Sequence, residues 1–282
     1  MGNIERIAFQ MAKRNRNINY GPILLSFTAI FAVIGMIFET LAILFGYDAN
    51  MRVFKLGSKV ATASVAALFI LSIATITLAI CVGKLGKMKT RVPNSGLADV
   101  ISTVGGFALA ASSVLLLAES WGSKIDEAGA LRAFTVILVI VSIPTALYFV
   151  LGTERRDRLS TFLSFFPPLW NAACLIRLYF DSETAVNDPV RILLQITLVA
   201  VMLALMYELK LKVRGTGHIM LTVTAPVATV LSCASFTSII LLYLIVKVGS
   251  VANVLLSAGT LLLSLYLMTR LGAYYELPKD RD

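Results

Sequence analysis

Eight apolar stretches, each long enough to cross a bilayer, follow one another along the chain with short polar loops between them. They run over 22 to 46, 60 to 83, 98 to 119, 132 to 153, 159 to 180, 190 to 210, 218 to 245 and 251 to 273. The loops carry turn and charge signals, among them Tyr47-Asp48-Ala49-Asn50, Pro93-Asn94-Ser95-Gly96 and Asn187-Asp188-Pro189. The stretches are continuous rather than alternating. Backbone in lipid must satisfy its own hydrogen bonds, so continuous apolar runs of this length predict helices and not barrel strands. The expected fold is all-α: a polytopic bundle of eight transmembrane helices.

Composition agrees, with 58% hydrophobic and 15% charged residues in 282. A soluble domain carries about 25% charged residues. Residues 1–21 form a basic tail, in which Ile4, Ile7, Ala8 and Met11 recur at helical spacing. An interfacial helix on the inner leaflet and a tail without structure are both compatible with that pattern. Span one follows this tail but is 25 residues long, too long for the apolar core of a signal peptide, and is read as a retained anchor.

The distribution of Lys and Arg orients the bundle. Of 25 such residues, 17 fall on the side of the N-terminus and seven on the other; Arg177 lies within a span. The seven outer bases face seven acids, so the formal net charge of +9 belongs to the N-terminal side. Positive loops stay in the cytoplasm, which predicts a multi-pass protein of the plasma membrane with both termini cytoplasmic. The basic surplus is thus topology, and nucleic acid is not an expected partner; clusters such as Lys84 to Arg91 instead meet anionic lipid headgroups.

The two halves, 22–153 and 154–282, have a similar rhythm. Spans two and six end in Lys84-Leu85-Gly86-Lys87 and Glu208-Leu209-Lys210-Leu211, and spans three and seven are the richest in small residues. A 4+4 duplication would relate the halves by an axis along the membrane normal. Chance recurrence of loops and small-residue helices gives the same picture.

Few residues are left for lipid exposure not to explain. Glu39 is read as the one acid well inside a span, about 10 Å from its outer end at 1.5 Å per residue. It is either a charge or proton carrier or a structural hydrogen-bonding group. Arg177, near the outer end of span five, snorkels, pairs with Asp181, or pairs with Glu39 at the mouth of a cavity. Pro167 and Pro168 remove two donors and break or kink the same span, with Asn171 beside the break as a candidate solute contact. Gln195 in span six and Thr229 in span seven are candidate wall residues; the stripes Ser102, Gly106, Ala110 and Ala225, Thr229, Cys233, Thr237 are packing devices or cavity lining.

Cys81, Cys174 and Cys233 lie inside spans without a paired spacing, and His218 is the single histidine, which argues against a disulfide framework, a metal centre or a cofactor site. The chain has no HExxH, no P-loop, no repeated gating arginines and no TVGYG-like filter. No catalytic motif marks it as an enzyme. The leading expectation is a protein that binds or transports a small solute through a cavity between the halves. The alternative is a non-catalytic scaffold or sensor subunit with a membrane or cytoplasmic protein partner.

Overall fold

The computed structural model describes residues 20–48, 53–55, 57–85, 95–122, 128–151, 153, 157–181 and 188–275. The basic tail and nine of the other 20 Lys and Arg counted in the two sides above lie outside these residues. Eight helical spans are present among the described residues. Span one is α1 (Tyr20–Leu41), continued by a π-helical turn over Ala42–Gly46. Spans two, three and four are α2 (Lys59–Leu85), α3 (Gly96–Gly122) and α4 (Ala128–Val150). Span five is split into α5 (Arg158–Leu163) and α6 (Phe166–Tyr179). Spans six, seven and eight are α7 (Pro189–Arg214), α8 (His218–Leu241, with a π-helical turn over Leu242–Val246) and α9 (Val251–Tyr275). The chain is an integral, multi-pass membrane protein.

The break in span five falls just before Pro167 and Pro168. Neither proline has an N–H, and each ring would crowd the carbonyl four residues earlier, so both sit in the first turn of a new helix, where no donor is needed. The turn between the two helices is tight: Ser164 N–H donates to Ser160 at 3.0 Å and Phe165 N–H to Phe162 at 3.2 Å. Pro144 and Pro226, by contrast, are carried inside α4 and α8. One element was not expected, a two-residue antiparallel pairing of Tyr47–Asp48 (β1) with Val53–Phe54 (β2) between spans one and two.

Spans three to eight close a circuit, each packing on the next and α9 returning to pack on α3. The α3–α9 contact is close. A Cβ on Gly259 of α9 would lie 2.5 Å from Leu109 Cδ2 and 3.3 Å from the Leu109 nitrogen. Small residues let transmembrane backbones meet in this way. Spans one and two lie outside the circuit against α8, with Gly35 of α1 admitting Leu68 and Ala234. Spans three and seven therefore have different neighbours: α3 packs on α4 and α9, whereas α8 packs on α1, α2, α7 and α9.

Candidate functional site

The circuit has two ends. At the end away from the N-terminus, the closing turns of spans three, five and seven and the opening turns of four, six and eight surround a cavity of about 750 Å³. Its wall includes three bases, Arg177, Arg191 and Lys247, and three acids, Glu119, Asp181 and Asp188. Arg191 is fixed by the end of α6, whose last carbonyls have no helical partner. It donates to the Asp181 carbonyl at 2.9 Å and to the Leu178 carbonyl. Asp188 caps α7, accepting from Val190 N–H at 3.3 Å, and burial raises its carboxyl above the ordinary range against the pull of these N–H groups and of Arg191.

Arg177 is only 6% exposed. Its Nε donates to Thr135 Oγ1 of α4 at 3.2 Å, and its Nη1, also buried, has no hydrogen-bond partner among the described residues. Seven residues deeper on α6, about 10 Å along the helix, Trp170 reaches across the circuit and donates to Ser113 of α3 at 3.0 Å. Leu116 of α3, one turn above Ser113, lines the cavity, so the indole lies beneath it.

At the N-terminal end the charges are locked together. Arg270 of α9 lies 2.9 Å from Glu208 of α7, and both side chains are nearly inaccessible. Tyr266 donates its hydroxyl to the same carboxylate, and Arg270 Nη1 donates to Thr153, which donates to Asp99 of α3 at 3.2 Å. Lys212 of α7 donates to Ser160 of α5 at 2.9 Å and sits 4.9 Å from the centre of the Tyr148 ring, a cation–π contact. Thr222 of α8 and Tyr275 of α9 share a hydrogen bond of 2.8 Å. Every span of the circuit is tied in at this end.

The sequence candidates are thereby dispersed. Glu39 is in neither end of the circuit; it lies between α1, α2 and α8, where Ser64 donates to Oε1 at 2.5 Å and Ser238 to Oε2 at 2.6 Å. It does not pair with Arg177, because each group is held by hydroxyls of its own neighbours. Asn171 is fully buried; Nδ2 donates to the Pro167 carbonyl at 2.9 Å and Oδ1 has no partner among the described residues. Thr229 ties α8 to α9 through Ser264 O at 3.2 Å, and Gln195 is half-buried. Of the candidates, only Arg177 lines the cavity.

Two expectations need correction. Glu39 is not alone as a buried acid: α7 continues to Arg214, which places Glu208 inside the span at 4% exposure. Arg270 and Lys212, counted with the loop bases, are likewise buried in the bundle. The available signal was spacing, since Tyr266 with Arg270 and Glu208 with Lys212 are each one helical turn apart on spans whose ends face each other.

The fold defines a polytopic membrane protein whose central circuit has a cavity at one end and a buried charge cluster at the other. Compared with protein-family models, curated proteins and solved structures, the chain matches none.

Proposed function

We propose that the protein binds a small solute in the cavity of the six-span circuit and passes it across the membrane. The observation that carries this reading is the cavity itself, about 750 Å³, with a buried arginine in its wall whose Nη1 is unmatched. Small-molecule sites have about this size, 300 to 1,000 Å³, and a few convergent polar groups. With the basic side in the cytoplasm the cavity opens outward. The Glu208–Arg270 cluster would then be the inner closure, and passage would require it to separate while the outer end narrows.

Further unmatched polar atoms support a route inward. Ser235 and Ser232 lie on α8 below the cavity residue Ile239, spaced four and three residues apart along one stripe, and their hydroxyls are buried without partners among the described residues. Asn171 Oδ1 is the equivalent on α6. Buried polar atoms of this kind are met by water or by a ligand. Glu39 we assign to helix packing.

The test is chemical access. In sealed vesicles a charged, impermeant thiol reagent should modify Asn253→Cys from the outside and not from the inside. Absence of modification from either side would remove the transport reading and favour the scaffold, to which the serine-bound Glu39 already lends itself.

A further inference from the structure

We infer that the ligand of the outer cavity presents an oxyanion, a carboxylate or phosphate group, and that Arg177 receives it. This rests on the solute-binding reading above and adds the chemical class. Guanidinium stays charged at any accessible pH and offers five donors in a fixed fork. At Arg177, which lines the cavity, one donor is used on Thr135 and Nη1 is buried with no partner among the described residues. A desolvated cation with unmet donors is unfavourable until an anion arrives, and a carboxylate or phosphate fits the fork in bidentate fashion.

Among the described residues, no carboxylate pairs with Arg177. The buried ion pair among the described residues joins Arg270 to Glu208 at the opposite end of the circuit. Asp188 is committed to the first turn of α7. The rim adds a second cation, Lys247, in the same wall, whose positive φ of 61° is the left-handed cap closing the π-helical turn Leu242–Val246. The three acids of the wall set a limit, since they would repel a ligand with several negative groups. One oxyanion on an otherwise neutral or cationic body satisfies both signs.

Arg177 lies two residues from the end of α6, about 3 Å along the axis, so the oxyanion could belong to a free solute or to a lipid headgroup. Protection of Asn253→Cys from the thiol reagent separates these sources. In maltoside micelles and Tris chloride, propionate or inorganic phosphate should slow modification if the ligand is free. Protection only in phosphatidylcholine or phosphatidylglycerol nanodiscs, with no soluble anion, identifies a headgroup. Either protection should need on the order of 100-fold more anion, or disappear in the nanodisc, with Arg177→Gln. Arg177→Lys, which keeps the charge and guards against a folding defect, should weaken it about tenfold. If the thiol introduced by Asn253→Cys reacts freely and no oxyanion protects it, or choline protects it equally well, the oxyanion assignment is wrong while solute binding stands. If that thiol does not react at all, both fall.

Discussion

At the N-terminal end of the circuit, Glu208, Arg270, Tyr266, Thr153 and Asp99 form one chain of contacts through α3, α7, α9 and the residues after α4. At the opposite end, Arg132 donates to the Ser120 carbonyl, Arg177 to Thr135, and Arg191 to the carbonyls closing α6. Both ends bury cations at helix termini. At one end the partner is a carboxylate brought from another span, whereas at the other these bonds go to a hydroxyl and to backbone carbonyls, and three carboxylates line the cavity wall. A buried carboxylate closes one end, whereas at the other Arg177, held by the Thr135 hydroxyl, keeps Nη1 without a partner among the described residues.

Breaking the sealed end should have the largest effect. Arg270→Met leaves the Glu208 carboxylate buried with Tyr266 alone, and removal of one partner of a buried pair costs about 3–5 kcal/mol. Thermal or denaturant unfolding in micelles measures it. Adding Glu208→Gln should recover much of the loss. A stability within about 1 kcal/mol of the parent would show that water reaches this end, and the contrast between the ends would disappear.

Glu39 provides a polar site outside the circuit against which both ends can be judged. Ser64→Ala or Ser238→Ala removes one of its two donors, each expected to cost about 1–3 kcal/mol. Thermal unfolding of the two single variants and the double would measure this. A loss of outside labelling at Asn253→Cys in these variants, with stability unchanged, would instead make Glu39 part of the route.

The spans and Arg177 were legible because length, apolar continuity and a lone charge are properties of the sequence itself. The proline break was legible too, since a missing N–H acts locally. The Glu208–Arg270 pair was not: a charge one or two turns from a helix end reads as a loop charge unless it is known which span stands opposite, and here α7 and α9 are 62 residues apart at this pair. The serines around Glu39 were hidden differently. Hydroxyls are common in these spans, mostly donating to their own helix as Thr28 does to Leu24, and only the third dimension singles out Ser64 and Ser238.

At the open end the expected sign reverses. Arg177→Met removes an incompletely matched buried cation and one hydrogen bond to Thr135, so stability should stay level or rise by about 1 kcal/mol while oxyanion protection is lost. Unfolding and labelling measured on the same sample test both halves. A loss of several kcal/mol would mean that Arg177 is a structural tie like Arg270.

The smallest effect should come from Asp188, and it depends on pH. Desolvation raises its carboxyl pKa in the folded protein, so the neutral form is the one the fold prefers. Stability from a raised carboxyl is fully present below the unfolded value of about 3.9 and is lost as pH rises through the folded value. Asp188→Asn keeps the capping oxygen for Val190 N–H and never ionises. The variant should therefore be more stable than the parent at pH 7, by a few tenths of a kcal/mol given solvent screening in the open cavity. That advantage should shrink as the pH falls towards 4, because the parent carboxyl then takes up its proton. A parent protein that gains on the variant as pH rises would place Asp188 in an ion pair, most directly with Arg191, and the open end would then be matched by charge like the sealed one.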